Sequence, residues 1–330
     1  MRRLKGKKPF LILILLALSL MSGFHSGTTL AAGAEWPSGN ITLIVTYPPG
    51  GGFDLVARNT APFIEKYLPK RASVIVKNVS GAGTRIGTRE LVKSKPDGLT
   101  IGILDPINIS LMELGGKLEW LDTRKLSWLS QLDNLADMVV VGPKTGFKTP
   151  KDMKGRTIRI AAPDDAGVIR GGVHARALGA TPQFVRYGGM GEIMLAIARG
   201  DCDFTTASWS SGMRQVKALE DKVIPLFVSV KVPGLSVPSL QEFGIAVDEI
   251  IVGHIHLLAA PPGLPPEIRT LWEEVFSKVF KDQDWFDKMN KAGYPPSPLV
   301  GKDKLDTLIA DYMERMNRYQ DLISGLSLLK

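Results

Sequence analysis

Between residues 41 and 104 short β-rich runs alternate with helical patterns, and two of the strand-to-helix junctions are stripped of side chains. The first junction reads YPPGGGFD (47–54) and the second NVSGAGTRIG (78–87). Residues 41–46, 74–76 and 99–104 read as strands, with helices over 54–68 and up to about Lys93. Such alternation demands a parallel sheet with right-handed crossovers. Lys95, Pro96, Asp97 and Gly98 have the chemistry of a type I turn ahead of the third strand.

A second α/β unit follows. Its strands are expected at 138–141, 157–161, 184–186 and 203–206, and its helices at 168–178 and 190–199, the last ended by Gly200. Thr149 and Pro150 mark the cap and first residue of a short helix between the first two strands. The last third is helical: Ile268, Leu271, Trp272, Val275, Phe276, Val279 and Phe280 form one apolar stripe, and Leu305, Leu308, Ile309, Tyr312, Met313 and Met316 form another. Stripes of this kind build a core. The expected class is α/β, in two lobes.

The N-terminus has the three parts of a secretory leader: Arg2, Arg3, Lys5, Lys7 and Lys8, then an apolar run over 10–21, then small residues around 31–34. Cleavage near Ala34 is expected. The chain has 41 Lys and Arg against 33 Asp and Glu. Removing the five leader bases leaves 36 against 33, too small an excess to argue for a nucleic-acid partner. Cys202 is the only cysteine, so an exported form holds together by burial rather than by disulfides.

Glycine junctions that lead from strand to helix present unpaired backbone amides where the helix dipole is positive. Such a place suits an anion, and glycine lets the anion approach the backbone. Neighbouring βα units open on the same edge of the sheet, so both loops serve one site. A rival reading takes 81–87 (GAGTRIG) as a dinucleotide loop with Asp105 as its ribose acid. Its glycine spacing is one residue off, and nicotinamide cofactors are scarce outside the cytoplasm.

Enzyme and metal signatures are thin. There is no G-x-S-x-G, no H-E-x-x-H and no Walker loop, and a single cysteine excludes paired-cysteine zinc sites. His254 and His256 fall on one face of a strand and read as partly buried or hinge-lining; His174 reads as a helix-surface residue. Cys202 lies between Asp201 and Asp203, a poor setting for a thiolate. No cofactor, metal or catalytic residue is expected.

Several stretches resemble, in order along the chain, the exported receptors of tripartite tricarboxylate transporters, also called Bug proteins. They are IVTYPPGGGFDLVARNTAPFIEKYL, VIVKNVSGAGTRIG, KPDGLTIGI, VRYGGMGEIMLAIARGDCDF and LLAAPPGLPPEIRTLWEEVF. The resemblance implies a two-lobed type II periplasmic-binding-protein fold with lobes of 35–137 plus 256–330 and of 138–255. It implies a non-catalytic, monomeric, extracytoplasmic receptor that captures a small carboxylated metabolite and docks to membrane permease subunits. A receptor feeding a sensor kinase is the alternative partner.

The binding set that follows comprises Tyr47, Pro49, Gly50, Gly51, Gly52, Phe53 and Asp54 on the first loop, then Gly81, Ala82, Gly83 and Thr84 on the second. Asp105, Asp165, Ala166, Gly167, Tyr187 and Gly188 complete it. Phe53 would wall the pocket, and Asp54 would orient water or cap its helix. Where relatives have a Gly/Ser-rich turn, this chain has AAPDDAGVIRGG. Two readings follow for Asp164 and Asp165. Either they face solvent, with Asp165 capping the next helix, or they receive a cationic group of the ligand. Arg85, Arg170 and Arg186 are nearby cations that offset them.

Overall fold

The computed structural model describes residues 36–115, 120–220, 222–246 and 253–325; the leader expected at 1–34 lies outside them. In the first unit β1 (Ile41–Val45) leads into α1 (Gly52–Tyr67). Next, β2 (Val74–Asn78) leads into α2 (Arg85–Lys93), and β3 (Thr100–Leu104) into α3 (Pro106–Leu114). β1 pairs in parallel with both β2 and β3, so the three helices start from one edge of the sheet.

The organising element is β4 (Ser127–Val141), a strand of 15 residues. Its first part lies between β9 (Gly253–Ala260) and β10 (Pro296–Val300). Its last part lies between β7 (Phe204–Ser208) and β8 (Ile224–Val228). β5 (Thr157–Ala162) is parallel to β7 and to β6 (Thr181–Arg186). The main path of the sheet runs β2-β1-β3-β9-β4-β7-β5-β6. The chain passes between the two halves of this sheet twice, in β4 and again on entering β9.

The sequence pattern places the start of this strand at 138, but it begins at Ser127. Ser130, Gln131, Asp133 and Asp137 interrupt its apolar run and are buried all the same, and for Gln131, Asp133 and Asp137 other elements supply partners. His256 sits opposite Asp133 across the β4–β9 ladder, with Nδ1 2.6 Å from Oδ1. His254 Nε2 lies 2.7 Å from Asp137 Oδ1, off the line of a hydrogen bond.

Around the second half of the sheet lie α4 (Asp165–Ala177), α5 (Met190–Arg199) and α6 (Trp209–Ala218). His174 on α4 is not on a surface: it is fully buried, and its Nε2 is 3.1 Å from Asp137 Oδ2. Two glycines explain this. A Cβ on Gly171 would come within 2.7 Å of Ile160, and one on Gly172 within 3.0 Å of Leu322, so α4 is packed too tightly to keep a wet face. Burial alone would push the Asp137 carboxyl up; the two histidines outweigh it and hold it below the usual range.

The C-terminal stripes are core. On α7 (Pro266–Val279), Ile268, Trp272, Val275, Phe276 and Val279 are buried. Trp272 stacks on Phe276 at 5.5 Å and meets Trp36 edge-on at 5.1 Å. On α9 (Lys302–Asn317) the buried set is Leu305, Ile309, Tyr312 and Met316. Truncating a side chain such as Trp272 to alanine removes about 3–5 kcal/mol. Among the described residues no helix is long and apolar enough to cross a membrane.

Candidate functional site

A cavity of about 670 Å³ opens where the two halves of the sheet meet. All six helices from α1 to α6 begin at it: their N-caps Gly51, Thr84, Asp105, Asp164, Gly189 and Ser208 all line the cavity. Each start carries amides without an intrahelical acceptor and the positive end of a helix dipole. A cavity ringed in this way has a strong preference for negative oxygen.

The six starts are not equivalent. Asp105 closes α3 by accepting the Ile107 amide at 2.9 Å, and Asp164 closes α4 by accepting that of Gly167 at 2.7 Å. Ser208 caps α6 through Ser211 N, at 3.4 Å. Gly51, Thr84 and Gly189 give no side-chain cap at all. The first bond inside α1 is Leu55 N–H to Gly51 O at 3.0 Å, so the amides of Gly52, Phe53 and Asp54 have no acceptor within the helix.

Asp54 shapes the first loop from behind rather than lining the cavity. It is buried, accepts the Gly50 amide at 2.8 Å, and meets Arg58 Nε and Asn78 Nδ2 at 2.9 Å each. Burial would push its carboxyl up, but Arg58, the Gly50 amide and Asn78 outweigh that and hold it below its ordinary value. It neither caps α1 nor faces the site. Tyr47, Pro49, Gly50, Gly51, Gly52 and Phe53 do line the cavity. A Cβ on Gly52 would sit 3.1 Å from Tyr294 Oη, so glycine admits that neighbour. Tyr47 stacks on Phe53 at 4.2 Å, and Phe53 meets His256 edge-on at 4.2 Å, which gives the cavity an aromatic wall.

The second loop carries four consecutive positive φ angles: 122° at Gly81, 48° at Ala82, 61° at Gly83 and 72° at Thr84. The two residues with a Cβ, Ala82 and Thr84, each hold a conformation costing about 1–2 kcal/mol. All four line the cavity, and the buried Thr84 Oγ1 has no hydrogen-bond partner among the described residues.

Asp105, Gly167, Tyr187 and Gly188 also line it, whereas Asp165 and Ala166 do not. Asp165 is used structurally, pairing with Arg85 at 3.1 Å and with Arg186, which ties α2 to β6. The Ala166 amide donates to Asn108 Oδ1 at 3.1 Å. Asp164, not Asp165, is the cap of α4, and it does face the cavity. Asp105 has little left to offer a ligand, since its second oxygen takes Arg170 Nη2 at 2.8 Å. Both members of that pair are 3% exposed or less. Burial would lower the Arg170 pKa, but Asp105 and Asp137 overcome it, and the guanidinium stays charged. The Tyr187 hydroxyl is pushed up to about 12, chiefly by its hydrogen bond to Cys202, and is neutral in use.

Sequence reasoning missed Asn108, Ser211, Arg214 and Tyr294. Asn108 Nδ2 donates to Tyr47 Oη at 2.6 Å and to Asp164 at 3.1 Å, joining the two halves. Ser211 and Arg214 are on α6 and both reach Tyr294, which follows α8 (Gln283–Lys291). None of the four belongs to a local motif; contacts between distant segments bring them together. Among the described residues no three His, Cys, Asp or Glu side chains form a metal site.

No family model matches the sequence. A UPF0065 protein of Agrobacterium vitis is 26% identical over 272 residues, which are 79% of this chain and 77% of that one. Protein BugT of Bordetella pertussis is 21% identical over 294 residues, 85% of this chain and 88% of its own. Among solved structures, the periplasmic binding protein BugD superposes with a TM-score of 0.73 at 19% identity, covering 88% of this chain and 99% of its own. R. palustris Rpa4515 with adipate superposes at 0.76 and 18% identity, covering 88% and 98%. MatC from Rhodopseudomonas palustris with bound malate gives 0.71 and 19%, covering 87% and 100%. The fold is therefore that of the periplasmic binding proteins, and in sequence the chain is similar to the UPF0065 protein and to BugT.

Proposed function

We propose that this protein is an extracytoplasmic receptor that captures a small carboxylate between two lobes, 35–137 with 256–330 and 138–255, and delivers it to permease subunits of a tripartite tricarboxylate-type transporter. It works by binding, without turnover. The observation that carries this is the ring of helix starts: two are stoppered by the protein's own carboxylates, while those at Gly51 and Thr84 are left bare. A ligand carboxylate at the bare starts would occupy the place that Asp105 and Asp164 fill at theirs. Structures with malate and with adipate among the neighbours point to the same ligand chemistry. The dinucleotide alternative needs Asp105 free for a ribose, and both of its oxygens are taken.

The test is calorimetry and thermal denaturation of the purified protein with malate, adipate, glutamate and benzoate, each beside its amide or ester. Binding of one or more acids and of none of the neutral partners is expected. Binding of NADH with no binding of any acid would overturn the reading. Neighbouring genes for permease subunits, as against a sensor kinase, decide the partner.

A further inference from the structure

The Asp, Glu, Lys, Arg and His side chains lining the cavity, among the described residues, are Asp105, Asp164, Arg170, Arg214, His254 and His256. Most are already engaged. Arg170 pairs with Asp105, His256 bonds to Asp133, and His254 lies against Asp137. Asp164 accepts the Gly167 amide and Asn108 Nδ2.

Arg214 differs. It is exposed, and no carboxylate among the described residues lies within 4.0 Å of it. Its Nη2 donates to two neutral hydroxyls, Ser211 Oγ at 3.2 Å and Tyr294 Oη at 3.1 Å. Nε and Nη1 have no partner among those residues. Those donors remain free for the oxygens of an anion, and a charge-assisted bond to a carboxylate is among the strong ones.

Its position relative to the bare helix start is fixed by contacts. Tyr294 Oη, which holds Nη2, lies 3.1 Å from the point where a Cβ on Gly52 would stand. The guanidinium is thus two contacts from the first bare amides of α1, yet it belongs to α6, in the other half of the sheet. We propose that Arg214 pairs with the same ligand carboxylate that the α1 start holds, so that the anion is gripped from both halves and ligand specificity includes a charge pair beside the peptide cradle. The proposal rests on the carboxylate-receptor reading above and adds to it the residue that closes on the anion.

The experiment is calorimetric titration of the purified protein with the tightest acid among malate, adipate, glutamate and benzoate. Arg214→Gln is expected to weaken binding about 10- to 100-fold, the worth of a charge-assisted hydrogen bond or two. Arg214→Lys, which keeps the charge and loses the planar guanidinium, should recover part of that. Tyr294→Phe, which removes one anchor of the guanidinium and leaves its charge, should weaken binding less than Arg214→Gln does. Wild-type affinity should fall as salt rises, and the Arg214→Gln variant should show a shallower dependence. Binding by Arg214→Gln within twofold of wild type would overturn the charge pair while leaving the receptor reading intact. Equal losses in Arg214→Gln and Tyr294→Phe would assign the effect to the lobe-to-lobe bond and overturn it too. A wild-type protein that binds none of the four acids would overturn both readings.

Discussion

The junction after β1 and the junction after β5 are built alike, a strand delivering its carboxyl end to the start of a helix, and they finish that start in opposite ways. After β1 the chain spends three glycines and no cap, and the nearby acid, Asp54, is turned behind the loop to hold Gly50 and Asn78. After β5 it spends two acids: Asp164 fills the helix start and Asp165 is locked between Arg85 and Arg186. A carboxylate can therefore shape a bare anion site or stopper it, depending only on whether it reaches in front of the amides or behind them. Asp164 and Asp165 are thus part of the framework, and the helix starts without a side-chain cap at the two glycine loops are those at Gly51 and Thr84.

Four changes would break or sharpen that contrast. The largest effect is expected from Asp105→Ala, which removes a stopper and leaves the buried Arg170 guanidinium unpaired; the protein should lose about 3–5 kcal/mol in chemical denaturation. Next is Gly51→Val. Gly51 has ordinary backbone angles and its Cβ would meet only Pro48 O, at 3.5 Å, before projecting into open space. Acid binding should fall by about 100-fold or more, with the melting temperature almost unmoved, because valine stands where an anion approaches. If affinity survives, the first loop is not a contact surface.

Asp164→Ala should cost about 1 kcal/mol, the ordinary worth of a cap. It should also turn α4 into a fourth bare start, which would show as a gain of affinity for dicarboxylates over monocarboxylates. The smallest effect concerns pH. The folded pKa of Asp54 lies below 3.8, so its contribution to loop order is complete above about pH 4 and declines only as pH falls through that lower value. Ligand affinity should thus hold from neutral pH down to about pH 4 on account of this group. Asp54→Asn should weaken binding at neutral pH and remove that acid limb.

What could be read in advance was local. The glycine loops, the three leading strands and the apolar stripes of α7 and α9 each announce themselves within a dozen residues, since the physics that sets them is turn chemistry and periodicity. The first two-thirds of β4 was illegible because Asp133 and Asp137 look like solvent-facing acids until the histidines more than a hundred residues later come to meet them. His174 was misplaced for the converse reason: nothing in its helix says that Gly171 and Gly172 bring a sheet and a neighbouring helix too close for water. Arg214 was invisible because its meaning depends on Tyr294, which no spacing rule connects to it.

The joint between the halves has one more implication. β4 and β9 stay paired to each other from Ser127 opposite Ala260 to Ala136 opposite Gly253, right up to the crossing. A laddered pair of strands resists sliding, because slip by one residue would put Asp133 and His256 on opposite faces. Any change in the angle between the halves must therefore pivot on this ladder, since sideways drift would break its register.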